Sequence, residues 1–164
     1  MWKKINIQSE ILYKLCLKKN IFVTTAESCT GGMLASSIVS VSGSSNIFKS
    51  SIITYSNEMK SLILKIPSKI IEKNGAVSEI VAKKMAINVL ELLKADVSIS
   101  VTGIAGPGGG SQEKPVGLVW MAIATGKSVV VQKNFFHGNR LEIRQKTTLE
   151  ALKLANKTIK KLNS

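Results

Sequence analysis

Hydrophobic positions along this chain recur with two periods, and the switches between them lay out a fold. Ile11, Leu12 and Leu15 fall on one side of a helical stretch over 8–19, with Asn20 as its stop. An apolar run over 21–25 reads as a strand, and a helix over 31–41 follows with Leu34, Ile38 and Val41 inward. Gly43-Ser44-Ser45 breaks that helix. Residues 51–55 read as the next strand, after which Asn57 caps a short helix carrying Lys60, Leu62, Ile63 and Leu64 that ends before Pro67. The clearest internal helix spans 78–93, where Val81, Met85, Val89 and Leu92 keep helical spacing. A strand over 96–101 leads into a glycine-rich segment, and 116–125 with 128–136 flank Gly126-Lys127 as a β-hairpin. A long helix over 140–162 closes the chain, with Leu149, Leu152, Ala155, Ile159 and Leu162 inward. This order predicts an α/β fold: a three-layer α/β/α sandwich whose mixed, mostly parallel sheet is covered by helices on both faces.

Composition narrows the class. The chain has 164 residues, 45% of them hydrophobic, with no repeat or linker dividing it, so a single domain over 1–164 is expected. Its apolar runs fall far short of the roughly 20 residues a membrane helix needs. After Met1-Trp2-Lys3-Lys4, the polar residues Gln8, Ser9 and Glu10 interrupt any signal-like core, which makes the cytoplasm the expected compartment. Cys16 and Cys29 form no CxxC pair and there is one histidine, so no metal site is expected. The net charge of +13 invites a nucleic-acid reading. However, the lysines near both termini fall opposite apolar helical stripes, as a solvated face would, so weak polyanion attraction is expected and a dedicated nucleic-acid role is not.

The candidate chemistry sits in two glycine-framed segments, Ala26-Glu27-Ser28-Cys29-Thr30-Gly31-Gly32 and Thr102-Gly103-Ile104-Ala105-Gly106-Pro107-Gly108-Gly109-Gly110-Ser111. Each follows a strand, and the carboxyl edge of an open α/β sheet is where anionic ligands bind. Ser28 is a candidate nucleophile, but a hydroxyl needs a base. With a lone His137 there is little room for a Ser–His–Asp triad, and Lys60 is the remaining base. If the strands over 21–25 and 51–55 are parallel neighbours, Ser28, Tyr55 and Lys60 emerge on one rim, and a desolvated lysine can lose its proton near neutral pH. Tyr55 could orient that amine or relay the proton. Blander roles compete: Ser28 as a helix N-cap, Lys60 as a surface cation, Tyr55 as a packed strand aromatic. Cys29 is a rival nucleophile, since a helix N-terminus acidifies a thiol.

Thr30-Gly31-Gly32 could cradle a phosphate with backbone N–H groups. The 103–111 loop is the stronger glycine signal, matching neither a Walker A loop nor a GxGxxG fingerprint. Arg140 and Arg144, one turn apart at the start of the last helix, could both reach a phosphate.

Together these stretches, with Thr54-Tyr55-Ser56-Asn57-Glu58-Met59-Lys60, Asn74-Gly75-Ala76-Val77-Ser78-Glu79 and Gln112-Glu113-Lys114-Pro115-Val116-Gly117, closely resemble the CinA C-terminal domain family, the nicotinamide-nucleotide amidases. The resemblance spans nearly the whole chain and implies a stand-alone amidase domain. It implies hydrolysis of nicotinamide mononucleotide to nicotinic acid mononucleotide and ammonia in pyridine-nucleotide salvage, without metal or organic cofactor. Carried over, Ser28 attacks the carboxamide, Lys60 is the base and Tyr55 assists. The substrate-binding set is then Thr30, Gly31, Gly32, Thr102, Gly103, Ala105, Gly106, Arg140 and Arg144. The family pattern usually has Gly-Asp-Arg where this chain has Gly138-Asn139-Arg140. The resemblance also implies a homo-oligomer, a dimer or larger. The alternative from a different class is a noncatalytic nucleotide-binding or competence- and DNA-damage-associated protein.

Overall fold

The computed structural model describes residues 1–162. Five strands, β1 (Val23–Glu27), β2 (Phe48–Ile53), β3 (Val97–Gly103), β4 (Leu118–Thr125) and β5 (Val129–Phe135), form one sheet in the order β2-β1-β3-β4-β5. β1 is parallel to both β2 and β3, β4 is antiparallel to β3, and β5 is antiparallel to β4. β5 therefore points the same way as β3, and only β4 runs against the rest. The mixed, mostly parallel sheet follows the pattern the sequence predicts.

Among the described residues six α-helices cover it: α1 (Trp2–Lys19), α2 (Met33–Val39), α3 (Asn57–Leu62), α4 (Ser68–Asn74), α5 (Glu79–Leu93) and α6 (Arg140–Lys160). α1, α2 and α6 pack together on one face; α5 lies along the other, with α3 and α4 beside it. Two periodicities interlock in the first layer. Val97, Ile99 and Val101 meet Ile143, Leu152, Ala155 and Ile159 of α6 and Ile5, Leu12 and Cys16 of α1, all nearly inaccessible to water. Each such side chain contributes on the order of 2 kcal/mol of apolar burial.

The opposite face of β3 carries Ser98, Ser100 and Thr102, a pattern that on its own would put that face in water. Here it is buried. Ser98 Oγ donates to the Ala86 carbonyl at 2.6 Å, Ser100 Oγ to Ala82 at 2.7 Å and Thr102 Oγ1 to Ala76 at 2.9 Å. Short hydroxyls satisfied by carbonyls of α5 and the segment before it let the helix settle close over Ala122 and Ala124.

Several boundaries differ from expectation. α1 begins at Trp2 and not near residue 8, and α2 ends at Val39. β2 covers Phe48–Ile53, three residues upstream of the expected strand, so Thr54 and Tyr55 lie in the turn beyond it. Ser56, not Asn57, caps α3, its hydroxyl accepting from the Met59 N–H at 3.1 Å. α4 was not expected: Pro67 fixes its entry, and Ile71 anchors it to the cluster of Leu64, Ile66, Val81 and Met85.

Candidate active site

β1, β2 and β3 end side by side, with Glu27 in register with Ile53 of β2 and Val101 of β3. The segments leaving these three ends converge at the carboxyl edge of the sheet. Glu27 is completely buried there. Its Oε2 accepts from Thr30 Oγ1 at 2.6 Å and from the N–H groups of Gly32 and Leu34 at 2.9 and 3.2 Å, while Oε1 accepts from Ala35 N–H at 2.8 Å. A buried carboxylate is tolerable only when so many donors meet it. The result is a helix start capped from beneath, with Gly32 at φ 90°, a left-handed conformation that favours glycine.

This mount carries Ser28. Its N–H donates to the Val101 carbonyl at 3.0 Å, which ties the residue to β3 and leaves its hydroxyl free. Lys60, from α3, is 1% exposed. Its Nζ lies 3.0 Å from Ser28 Oγ, 2.7 Å from the Thr54 carbonyl and 3.5 Å from the Tyr55 carbonyl. Burial lowers the pKa of this amine from 10.5 to about 8. In the ammonium form three N–H groups donate to Ser28 Oγ and the two carbonyls; once neutral, two N–H groups serve the carbonyls and the lone pair faces the serine proton. The Thr54 hydroxyl, buried alongside, finds no hydrogen-bond partner among the described residues.

Tyr55 takes a different place from the one expected. Its phenol accepts from Arg140 Nη2 at 2.9 Å, and its carbonyl, not its hydroxyl, faces Lys60. Arg140 also donates from Nη1 to the Gly106 carbonyl at 2.7 Å, so one guanidinium joins α6, the β2–α3 turn and the glycine loop across the rim. Behind it is a cleft of about 410 Å³, to which Ser28, Cys29, Tyr55, Lys60, Thr102, Gly103, Ala105 and Arg140 contribute. The N–H groups of Ala105, Gly106, Gly108, Gly109 and Gly110 make no hydrogen bond within the described residues. Thr102 spends its hydroxyl on Ala76.

Two parts of the expected site are corrected. Thr30, Gly31 and Gly32 keep little of the expected phosphate cradle: Thr30 Oγ1 and Gly32 N–H go to Glu27 and Gly31 N–H to the Ser28 carbonyl, which leaves the Thr30 N–H as the one donor of the three without a partner among the described residues. The anion at this helix start is the protein's own. Arg144 is a brace of the same loop, donating to the Thr30 carbonyl at 2.7 Å. Cys29 is no acidified thiol either. Burial pushes its pKa up to about 12, against the acidification a helix start would give an exposed sulfur.

The same fold recurs in solved structures. A competence/damage inducible protein from Agrobacterium tumefaciens superposes with a TM-score of 0.93 at 34% identity, over 96% of both chains. A CinA superfamily protein from Klebsiella pneumoniae does so with 0.93 at 26% identity, over 96% of this chain and 99% of that one. The family model described as CinA C-terminal domain matches residues 6–159. The chain belongs to the CinA C-terminal domain family. Among curated relatives, a CinA-like protein of Prochlorococcus marinus subsp. pastoris is 51% identical over 140 residues, 84% of this chain and 32% of that protein. A CinA-like protein of Petrotoga mobilis is 45% identical over 137 residues, 84% of this chain and 34% of that one. The chain spans about a third of the length of the curated relatives it matches.

Within this CinA domain, Asn139, where the resemblance implies an aspartate, is a helix cap. It caps α6, accepting from Glu142 N–H at 3.0 Å, while Glu142 Oε2 returns to Asn139 N–H at 2.9 Å. Asparagine and aspartate cap about equally well. Sequence reasoning missed Glu27 as the organiser of the nucleophile loop, and Asn57, Ala76, Val77 and Gly109 as cleft residues. A signal for Glu27 was present: a carboxylate ending a strand of small residues needs donors, and the next turn supplies them.

Proposed function

We propose that this CinA domain hydrolyses the carboxamide of nicotinamide mononucleotide to nicotinic acid mononucleotide and ammonia, by a Ser28–Lys60 mechanism. The observation that carries the reading is the buried Lys60 amine, 3.0 Å from Ser28 Oγ, with its pKa lowered to about 8. Neutral Lys60 takes the hydroxyl proton as Ser28 Oγ bonds to the carboxamide carbon, and the carbonyl electron pair moves onto oxygen. The resulting oxyanion needs fixed donors, each worth about 3 kcal/mol in such sites. Ser28 N–H is committed to Val101, but Cys29 gives its N–H to no other residue and the glycine loop has several N–H groups to offer. Lys60 then hands its proton to the departing nitrogen, and ammonia leaves an acyl-serine. Water, deprotonated by the same amine, cleaves the ester and restores both side chains.

Arg140 and the unpaired loop donors support a phosphorylated substrate in place of free nicotinamide. We place the activity in pyridine-nucleotide salvage, in a cytoplasmic homo-oligomer. Incubation of the purified protein with nicotinamide mononucleotide and, separately, with nicotinamide tests the reading. Ammonia and nicotinic acid mononucleotide are expected from the first alone. Release from nicotinamide alone would remove the phosphate from the proposal, and release from neither would remove the enzyme. The net charge of +13 favours a second reading, a noncatalytic nucleotide- or competence-associated protein. Binding that persists in both wild type and Ser28→Ala, with no turnover by either, would support it.

A further inference from the structure

We propose that a second crevice at the same sheet edge, floored by Trp120, binds a ligand of the nucleoside monophosphate class. On the α5 face of the sheet, rows of residues in register across β3, β4 and β5 are covered in turn. Ser98 and Ala124, then Ser100 and Ala122, lie under α5, which needs small side chains there. The next row, Thr102, Trp120 and Lys133, falls beyond the start of the helix. The sheet thus places its largest side chain where helix cover ends, and leaves it only partly buried as the floor of a crevice of about 570 Å³.

The walls supply three kinds of recognition. Trp120 offers an indole platform, on which a base can stack. Lys83, Lys114 and Lys133 reach the crevice from α5, the glycine loop and the edge strand. Lys114 is held by the Asn74 carbonyl and Lys133 Nζ lies over the Trp120 ring, 5.7 Å from its centroid, so Lys83 is the amine free to meet a phosphate and Lys133 joins it by swinging off the ring as a base stacks there. Glu79 and Glu113 line the same space. They weaken it as a site for a bare anion, but carboxylates are the usual acceptors for ribose hydroxyls. A platform, amines and carboxylates around one space match a base, a phosphate and a sugar better than any one of those alone. Val77 is shared with the catalytic cleft, so the two spaces stand back to back.

The chain has two tryptophans, so Trp2→Phe makes Trp120 the sole fluorescent reporter. Titration of this variant with AMP is expected to give a saturable change with a midpoint near ~1 mM. Adenosine and ribose 5-phosphate should each bind about tenfold more weakly, as should AMP after Lys83→Ala with Lys133→Ala. Both lysines are exposed, and a thermal melt checks that the variant stays folded. Arg140→Ala, on the catalytic rim, should leave the AMP midpoint unchanged. No saturable signal would overturn the proposal, as would a midpoint indifferent to the two lysines. A midpoint moved by Arg140→Ala and not by the lysines would assign the signal to the catalytic cleft, and overturn it equally. Because the readout is binding and AMP carries no carboxamide, the result is separable from whether the cleft hydrolyses amides.

Discussion

The two glycine-framed turns at this sheet edge look alike in sequence and are used in opposite ways. In the first, Ser28 to Gly32, most backbone donors are taken up internally: Gly32 N–H, with Leu34 and Ala35 just beyond it, goes to the protein's own carboxylate, Glu27, Gly31 N–H to the Ser28 carbonyl and Ser28 N–H to Val101. In the second, Ala105 to Gly110, a run of backbone donors has no internal acceptor, and part of it lines the cleft. A turn filled by an internal anion is a rigid mount, suited to holding a reacting atom in place. A turn left unfilled is suited to receiving a ligand. Glycine content cannot tell the two apart; what decides is whether a charged partner lies in the preceding strand.

The most drastic way to break this division is to remove the reacting atom from the mount. Ser28→Ala should lower kcat by about 10⁴-fold or more, as losses of a nucleophile do, with ligand binding retained. Substrate depletion followed by chromatography and binding followed by calorimetry separate the two. Retained turnover would move the chemistry off the mount altogether.

Next in size is Glu27→Gln, which converts the filled turn into a strained one. A carboxamide offers one acceptor oxygen where the carboxylate offers two, and its NH₂ would face backbone donors. About 3 kcal/mol of stability should be lost, read from denaturant unfolding. Because a displacement of the order of 1 Å can cost about 10²-fold in rate, kcat should fall by a comparable factor while KM changes little. A rise in KM with kcat intact would mean that Glu27 serves binding instead.

A milder probe acts on the unfilled turn. Gly109 has φ 83°, and a Cβ there would approach Ile104 Cγ2 at 3.9 Å, so Gly109→Ala meets backbone strain without a clash. That strain is about 1–2 kcal/mol. We expect KM to rise about fivefold with kcat within twofold, the signature of lost ground-state binding. Steady-state kinetics on both variants would then show one turn governing kcat and the other governing KM.

The contrast also explains how much of the site was readable in advance. Ser28, Tyr55 and Lys60 are expected on one rim only if the strands over 21–25 and 51–55 are parallel neighbours, because such neighbours must deliver their carboxyl ends to the same edge. The filling of the first turn was signalled only by Glu27 itself, and that signal depends on where β1 ends. The expected strand over 21–25 stopped short of Glu27, and so Glu27 seemed to lie in a loop and not in the buried end of β1. α4 was missed for a similar reason: its seven residues have one strongly buried position, Ile71, too few to show a period. Tyr55 could be put at the rim but not paired, since its partner Arg140 is 85 positions away and no local pattern links them.

Lys60 gives a pH-dependent test with a smaller effect on stability. Its folded pKa is lowered to about 8 from 10.5, so below pH 8 the unfolded chain holds this proton more readily than the folded one. Folding then costs about 3 kcal/mol, a cost that fades as pH rises from about 8 toward 10.5. Lys60→Met should remove that cost but leave the Thr54 and Tyr55 carbonyls without a donor, at about 1 kcal/mol each. The variant should be more stable than wild type by about 1 kcal/mol at pH 7 and less stable at pH 10. Wild-type kcat/KM should rise about tenfold per pH unit toward a midpoint near 8, as the amine becomes a base. Denaturant melts that show no reversal of order between pH 7 and 10 would mean Lys60 is already solvated.

The smallest expected change comes from Cys29→Ala, beside the nucleophile on the same mount. Burial pushes its pKa up to about 12, so at pH 7 its thiolate is too scarce to compete with a serine that has a base 3.0 Å away. Its sulfur instead fills a space 5% open to solvent in the core shared by β1, α2 and α6. Truncation should cost about 1 kcal/mol of stability from the vacated volume and leave kcat within about threefold. Iodoacetamide should likewise leave the native protein active at neutral pH. If Cys29→Ala abolishes turnover while Ser28→Ala spares it, the thiol must be acidified by an opening of the mount, and the filled turn would then be the mobile one of the two.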